Sequence, residues 1–363
     1  MHRYHRGVSV TKPSDAPGDD RWRATVRGTP GAPGAPRARR IAERWRRLTL
    51  GGGPTLVACS GGADSSALAL ALGAFARGVS LVHVVHDLRP EPEALADRDA
   101  ARALAHRLGM HFAERRVCVR GDPGNAEANA RRARYEALAD AAREVGARFV
   151  ATGHHADDQL ETVLMALIRG SGPRGLRGIA PRRALAAGVT LVRPMLWTTR
   201  SEAEAICTRA GVPWVTDRTN LETDRLRAAL RAGPLREIVR LRPGAALAAS
   251  RAADLQRDAA RMIDDAAREL FGEGSDWPRA TLRRQPAVVL GAGLRRAARR
   301  LLESRGADRL SRAVVDPVVR AVRDGSTEPR CFDWPGGVRV EVTAHGVRMR
   351  RVAPGETENE SPG

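Results

Sequence analysis

Short apolar runs alternate with longer amphipathic segments from Thr55 onward, and this alternation is the clearest pattern in the chain. The runs TLVACS, VSLVHVV, HFAERRVCV, ARFVAT and VTLVRP have the length and β-branched content of strands. The segments between them have helical spacing, and Ser201 with Glu204 forms a capping-box pattern that predicts the start of a further helix. The pattern therefore predicts an α/β fold with a doubly wound, Rossmann-like parallel sheet. Ligands of such sheets bind beyond the carboxyl ends of the strands.

The regions outside this alternation predict further segments. GTPGAPGAPRARR has no helical or strand periodicity, which predicts a disordered basic tail. Arg/Ala/Leu-rich segments after Asn220 predict a second, mostly α-helical domain, and CFDWPGGVRVEVTAHGVRMRR predicts a terminal hairpin. The predicted boundaries are a tail over 1–41, a catalytic domain over 42–222, a linker helix over 223–243, a basic helical domain with the hairpin over 244–352, and a second tail over 353–363.

Charge is distributed unevenly along this chain of net charge +19. Residues 48–224 carry 22 basic and 20 acidic side chains, whereas residues 225–351 carry 27 and 15. A near-neutral core between basic flanks indicates a catalytic domain with regions that bind a polyanion such as RNA. The alternative is that a compositional bias raises the number of arginines throughout the chain, without any role in RNA binding. Lys12 is the only lysine and lies in the tail, which excludes a Walker P-loop and Schiff-base catalysis.

Other broad classes are excluded by what the chain lacks. No stretch of about 18 apolar residues is present, which excludes a transmembrane helix, and the first residues have no apolar core typical of a secretory signal. The four cysteines lie far apart without a Cys-x-x-Cys pair, so a disulfide framework and a zinc ribbon are disfavoured. These observations predict a cytoplasmic protein without membrane contact.

The first strand-to-helix junction, CSGGADSSAL, has the composition of an anion-binding loop. Gly61 and Gly62 allow a tight turn in which backbone N–H groups converge on an anion at the helix N-terminus, and Ser60 and Ser65 add hydroxyl groups. A carboxylate repels phosphate, so Asp64 suggests a Mg²⁺ ion between itself and a polyphosphate. The alternative is that Asp64 caps the helix, which contributes about 1 kcal/mol.

The fourth junction, ATGHHADDQLETVLMALIRGSGPRGLRG, carries the densest group of polar residues. His154 and His155 end the strand, Asp157 and Asp158 open the following helix, and Glu161 lies one turn further on the same helix face. Capping by the helix dipole accounts for one aspartate but not for the whole group. A zinc site is disfavoured because the two histidines are adjacent and no HExxH spacing is present.

Both junctions resemble a known family. Residues 60–65, SGGADS, resemble the SGGxDS loop of the PP-loop (N-type) ATP pyrophosphatases, which cleave ATP between the α and β phosphates. TGHHADDQLET with the later RGSGPRGL resembles the signature of the tRNA(Ile)-lysidine synthetase family. Shorter pieces agree with that family, namely NAEA and ARY in 125–135, RPML in 193–196, and Trp214 with DRTN in 217–220.

The resemblance implies ATP-dependent ligation of L-lysine to C2 of the wobble cytidine in CAU-anticodon tRNA(Ile), through an adenylated cytidine. It implies ATP and Mg²⁺ as cofactors, tRNA(Ile) and lysine as partners, and allows for a homodimer. The residues implied are Ser60, Gly61, Gly62, Ala63, Asp64 and Ser65 for ATP, Asp64 for Mg²⁺, Asp158 and Glu161 for lysine, and Asp64, Asp158, Glu161, His154 and Arg231 for catalysis.

Two departures from the family leave questions open. Val85-His86-Asp87 replaces an acidic or histidine residue followed by His-Gly, and the family's arginine run is present only as RLRAALRA over 225–232. Arg231 is favoured over Arg227 as the catalytic arginine. The alternatives are a tRNA 2-thiocytidine synthase, which needs the cysteine pairs that are lacking here, and a non-enzymatic basic RNA-binding protein with a vestigial nucleotide site.

Overall fold

The structure is a computed structural model that describes residues 10–11, 21–28, 35–87, 90–120, 124–215, 225–302 and 310–352. The chain divides into two compact units, residues 1–255 and residues 256–363.

A seven-stranded sheet forms the centre of the first unit. Its spatial order is β1-β4-β3-β2-β5-β7-β6, in which β4, β3, β2, β5 and β7 are parallel and the two edge strands are antiparallel. This arrangement confirms the predicted α/β fold with a mainly parallel sheet. The strands are β1 Val10–Thr11, β2 Thr55–Ala58, β3 Val79–His86, β4 Phe112–Val117, β5 Phe149–Ala151, β6 Arg182–Ala186 and β7 Val189–Val192.

The helices of this unit cover both faces of the sheet. They are α1 Arg21–Arg27, α2 Ala35–Leu48, α3 Ala63–Phe75, α4 Glu91–Arg107, α5 Ala126–Glu144, α6 Ala156–Ile168, α7 Pro173–Leu176, α8 Arg200–Arg209, α9 Arg225–Ala232 and α10 Pro234–Leu241. A longer helix, α11 Ala245–Phe271, begins in this unit and continues into the second.

Successive strand residues point to opposite faces, which separates two cores. Val57 and Ala151 pack with the leucines of α3 on one face. Leu56 and Val150 pack with Tyr135 and other residues of α5 on the other face. The helices that follow β2 and β4 therefore lie on opposite sides of the same sheet.

The amino-terminal region differs from the predicted disordered tail. Residues 21–27 and 35–41 are helical, in α1 and α2. Trp22 and Val26 lie one turn apart and are buried, and Ile41 of α2 is buried in the same core as α3. The arginine-rich composition conceals this amphipathic spacing. The remaining residues of 1–41, apart from 10–11 and Gly28, lie outside the described ranges.

Two details near the end of the first unit also differ from the prediction. The capping box of α8 is formed by Thr199 and Glu202 rather than by Ser201 and Glu204. The segment predicted as one linker helix contains α9 and α10, because Pro234 ends the first and begins the second.

The second unit combines helices with a small antiparallel sheet. Its helices are α12 Arg279–Arg283, α13 Ala287–Leu301 and α14 Arg312–Arg323, and its strands are β8 Asp276–Pro278, β9 Arg330–Trp334, β10 Val338–Val342 and β11 Gly346–Arg351. The spatial order β8-β11-β10-β9 makes a four-stranded sheet where a hairpin was predicted. The structure confirms a second region rich in helices. Among the described residues, no helix has the length and apolar character needed to cross a bilayer.

Candidate active site

The loop after β2 presents backbone rather than side chains toward the sheet edge. Gly61 has a φ of +83°, a conformation that favours glycine, and Gly62 precedes α3 without any side-chain cap. The first-turn N–H groups of α3 have no acceptor within the helix, so this loop is suited to bind an anion. Ser65 Oγ accepts from the Ser60 N–H at 3.1 Å and donates to the Gly62 carbonyl at 3.1 Å, so this hydroxyl holds the loop in shape.

Asp64 lies in the first turn of α3, beside this loop. Its Oδ1 is buried and has no hydrogen-bond partner in the part of the chain that the structure describes. The N-cap residue of α3 is Gly62 and no side-chain hydrogen bond caps this helix, so Asp64 can act on the helix end only through its charge in the first turn. A buried carboxylate oxygen without a donor is suited to a cation instead.

The loop after β5 lies directly against the loop after β2. A Cβ at Gly153 would come within 3.0 Å of both the Asp64 carbonyl carbon and the Ser65 nitrogen, which only glycine avoids. His155 Nε2 is 3.5 Å from Asp64 Oδ2. The structure therefore brings together the two motifs that the sequence places ninety residues apart, as expected for neighbouring parallel strands.

His155 is surrounded by carboxylates. Its ring nitrogens lie 3.4 Å from Asp157 Oδ2 and 3.6 Å from Asp158 Oδ2, in addition to the contact with Asp64. Burial lowers the pKa of this imidazole, but the carboxylates of Asp158, Asp157 and Asp64 outweigh burial and raise the pKa to about 10. His155 is therefore a cation at neutral pH, and its charge compensates the acidic residues around it.

His154 has the opposite electrostatic environment. Burial, followed by the positive charges of Arg193, Arg131 and Arg134, lowers its pKa well below 6.5. Its Nδ1 lies 2.9 Å from Thr152 Oγ1. The imidazole is therefore neutral at physiological pH, and it can form hydrogen bonds but cannot supply a positive charge.

Glu161 is held by two arginines from α9. The carboxylate is only 3% exposed, and its two oxygens are each 2.5 Å from an arginine, Oε1 from Arg227 Nε and Oε2 from Arg231 Nε. Arg231 Nη2 also lies 3.8 Å from Asp158 Oδ1. Asp158 is more accessible, with 24% of its side chain exposed. The structure thus brings Arg231, Asp158 and Glu161 together. Arg231 donates a hydrogen bond to Glu161, whereas Arg227 contacts the same carboxylate as an ion pair.

Two further residues support the loop after β5. Gln159 was not singled out by the sequence, whereas Asp157 belongs to the predicted acidic first turn of α6. Gln159 is buried, and its Oε1 accepts from the Ile179 N–H at 2.6 Å, which fixes the end of the glycine-rich segment 170–178. Asp157 Oδ2 accepts from the Arg200 N–H at 2.9 Å and so ties α6 to α8. That hydrogen bond and the contact with His155 outweigh the effect of burial and lower the pKa of Asp157.

Asp87 belongs to the segment Val85-His86-Asp87, where the chain departs from the family pattern, and its contacts explain this departure. Its carboxylate accepts from the backbone N–H groups of Val119 at 2.9 Å and Arg120 at 3.1 Å, which joins the ends of β3 and β4. This aspartate therefore has a structural role. Residues 217–220, which carry part of the family resemblance, lie outside the described residues.

The site is suited to one Mg²⁺ ion shared with a polyphosphate. Within the described ranges, no three His, Cys, Asp or Glu side chains form a cluster that could hold a metal ion by themselves. Asp64 offers one oxygen, and magnesium in phosphoryl-transfer sites takes further ligands from substrate phosphates and water. The residues present fit such an ion, held by Asp64 beside the loop after β2.

Comparisons with known proteins agree with this geometry. The PP-loop domain family matches residues 38–238. A tRNA(Ile)-lysidine synthase of Salinispora tropica is 49% identical over 195 residues, which cover 52% of this chain and 57% of the relative. Proteins of the same name from Chromobacterium violaceum and Symbiobacterium thermophilum are 42% and 35% identical, over 59% and 84% of this chain and 49% and 66% of theirs. The chain thus spans about half to two thirds of the length of these relatives.

The matched segment contains both loops, the sheet between them and the helices α9 and most of α10 that follow. Its glycine-rich turn and its helix end without a side-chain cap are suited to bind an anion such as a phosphate, and its unpaired aspartate oxygen is suited to a cation. On this match and this geometry, the chain belongs to the PP-loop domain family.

Proposed function

We propose that the chain ligates L-lysine to C2 of the wobble cytidine of CAU-anticodon tRNA(Ile), with ATP and Mg²⁺, through an adenylated cytidine. The observation that carries the proposal is the direct contact between a phosphate-binding loop and a carboxylate cluster, at Gly153 against Asp64 and Ser65. One loop suits a triphosphate and the other suits an ammonium group. The similarity to tRNA(Ile)-lysidine synthases supports the same assignment.

In the first step, the loop after β2 holds the phosphates while the cytidine O2 attacks the α-phosphorus in line and pyrophosphate leaves. Such a transfer requires positioning and charge stabilisation more than covalent catalysis. Ser60, Gly61, Gly62, Ala63, Asp64 and Ser65 form this part of the site. Mg²⁺ bound at Asp64 would neutralise phosphate charge. The neutral imidazole of His154 offers Nε2 for a hydrogen bond to the nucleotide.

In the second step, the lysine amine attacks C2 and AMP leaves. The amine must lose a proton, because the reference pKa of a lysine side chain is about 10.4. Asp158 is accessible and can bind the ammonium and accept that proton. Glu161 can bind the same ammonium group after one arginine moves away, because both of its oxygens contact arginines in the free protein. Arg231 then supports the negative charge on the departing AMP.

We also propose that the chain acts in the cytoplasm. The homodimer that the resemblance allows for stays a prediction. The test is incubation of the full chain with ATP, Mg²⁺, radiolabelled lysine and a CAU-anticodon tRNA(Ile) transcript. Label in the RNA, with one AMP formed per lysine, supports the function. A transcript with uridine at the wobble position is the matched control and should stay unlabelled. Pyrophosphate release without lysine incorporation would contradict ligation, and no pyrophosphate release would favour a non-enzymatic RNA-binding protein.

A further inference from the structure

Four arginines converge on one tyrosine of α5. Tyr135 is 8% exposed, and its hydroxyl accepts hydrogen bonds from Arg131 Nη2 and Arg193 Nη2, both at 3.3 Å. The guanidinium of Arg183 lies 4.6 Å from the ring centroid and that of Arg134 lies 5.9 Å from it. These five residues are here called the Tyr135 cluster. The proposed reaction assigns no role to them.

The cluster carries positive charge without compensation. Among the described residues, none of its four arginines forms an ion pair with a carboxylate. The sequence explains why, since the chain has seven arginines and no acidic residue between Glu161 and Glu202. Elsewhere in this unit, Arg115 and Arg227 are each paired with a glutamate. An anion from outside the chain would compensate the charge of the cluster.

Arg193 gives the strongest evidence for such an anion. It is 3% exposed, and one nitrogen, Nη1, donates to the Ala180 carbonyl at 2.6 Å. Its Nε is buried with no hydrogen-bond partner within the described ranges. A buried guanidinium is rare unless it is paired, because removal of the charge from water is costly. Burial, the largest cause, lowers the pKa of Arg193, with Arg183 and Arg131 adding to the effect.

The cluster lies near the reacting groups, on the other face of the sheet from the ATP loop. Arg193 directly follows β7, which pairs with β5, and it is among the charges that keep His154 neutral. Tyr135 packs on the α5 face, whereas the loop after β2 leads into α3 on the opposite face. A groove of about 510 Å³ beside Tyr135 and Arg183 leaves this face open to a ligand, and the two carboxylates that line it, Glu136 and Asp140, are paired with Arg132 and Arg143 of α5.

We propose that the Tyr135 cluster binds a backbone phosphate of the RNA next to the nucleotide that is modified. This inference rests on the proposed function, in which two phosphate-bearing substrates meet at one sheet edge. The loop after β2 suits the triphosphate, so a second phosphate site on the opposite face suits the polynucleotide. Guanidinium groups match phosphate oxygens in bidentate geometry, and phosphate contacts set the position of a nucleic acid on a protein.

Arg183→Gln and Arg131→Gln in the full chain test the proposal, since both side chains are exposed and each variant removes one charge. Arg148→Gln is the matched control, because Arg148 also lies over an aromatic ring, that of Phe149, but precedes β5 at the opposite end of the strand. The measurements are the Kd of an anticodon stem-loop RNA over a range of salt concentrations and the KM for ATP.

Each cluster variant is expected to weaken RNA binding several-fold and to reduce the slope of log K against log salt by about 0.7, the value for one phosphate contact on a single strand. The KM for ATP should stay within about two-fold, because the cluster lies on the other face of the sheet from the ATP loop and its loss should leave the free energy of ATP binding unchanged. The control should match the wild type in both measurements. Tyr135→Phe, which removes the acceptor for Arg131 and Arg193, should weaken RNA binding without loss of the fold.

A stem-loop with a single uncharged methylphosphonate beside the target nucleotide locates the contact. The wild type should lose affinity for this RNA, whereas Arg183→Gln should lose no more than it has already lost. A raised KM for ATP with an unchanged salt slope would overturn the proposal in favour of an ATP phosphate. Unchanged values for both substrates would overturn it as well. Failure of the proposed function differs from these results, because the wild type would then bind RNA but incorporate no lysine.

Discussion

The loop after β2 and the loop after β5 lie against each other, but the charges in the two loops are compensated differently. The first uses glycine backbone and an uncapped helix end, and its one carboxylate oxygen at Asp64 is unpaired among the described residues. The second is built from charged side chains that are already paired. His155 contacts three carboxylates, and Glu161 is bound by two arginines.

This difference predicts how each loop responds to its substrate. Backbone N–H groups cannot be neutralised, so the first loop is ready for phosphate without rearrangement. In the second loop, an incoming ammonium must exchange partners with charges that are present in the free protein. We therefore expect substitutions in the first loop to abolish a step and those in the second to shift substrate affinity or pH dependence.

Asp64→Ala should have the largest effect. Loss of the cation ligand is expected to lower pyrophosphate release by about 10²–10³-fold or more, in the range of lost electrostatic stabilisation at a transition state. Affinity for tRNA should stay nearly unchanged, because Asp64 faces the ATP loop. Pyrophosphate release measured at limiting Mg²⁺, with RNA binding in parallel, checks both. Normal turnover of the variant at limiting Mg²⁺ would restore the capping interpretation.

Arg231→Gln and Arg227→Gln should separate two arginines that hold the same carboxylate. Arg231 also lies near Asp158, so its loss is expected to lower kcat for lysine transfer by about 10²-fold. Arg227→Gln should leave kcat within a few-fold and lower the KM for lysine, because it frees one oxygen of Glu161. Single-turnover transfer from preformed adenylated tRNA measures both constants. The reverse pattern would make Arg227 the catalytic arginine.

Glu161→Gln should act mainly on the second substrate. We expect adenylation of the cytidine to survive and the KM for lysine to rise about ten-fold, which corresponds to about 1.4 kcal/mol of binding free energy. Separate assays of adenylation and of lysine transfer distinguish the two steps. An unchanged KM for lysine with a collapsed adenylation step would place Glu161 on the ATP side of the pocket.

His155 should give the smallest effect, visible as a pH dependence of stability. Its pKa in the folded protein is raised to about 10, so the contribution of this charge is fully present below about pH 6.5, the unfolded value, and is lost as pH rises through 10. The difference in unfolding free energy between wild type and His155→Gln should therefore shrink from pH 7 to pH 10. Denaturant titrations at several pH values measure it, and a constant difference would contradict the ion cluster.

The sequence predicts the sheet and both loops because periodicity and glycine placement are local signals. It does not predict the pairing of Glu161 with α9, since Glu161 and Arg231 are 70 residues apart in the chain and the contact depends on tertiary packing. The sequence favours Arg231 over Arg227 as the catalytic arginine, but helical spacing places both on one face and predicts no contact of either with Glu161. Only the fold brings both to the same carboxylate.

The amino-terminal helices and the Tyr135 cluster show the same limit. Trp22 and Val26 are spaced for a helix, but their burial depends on the surface of α3 that receives them. ARY and RPML are visible as family-like pieces, and only the fold shows that Tyr135 and Arg193 meet. The residue types and motifs were therefore predictable from the sequence. The contacts between charged and polar side chains of distant segments were not.

The central claim is that one sheet edge activates a cytidine at the loop after β2 and receives lysine at the loop after β5. A pulse of ATP labelled at the α-phosphate, with CAU-anticodon tRNA(Ile) and no lysine, tests it most directly when unlabelled lysine is added afterwards. The account predicts label on the RNA during the pulse and its release as AMP on addition of lysine. Label that never reaches the RNA, or that lysine does not release, would contradict it.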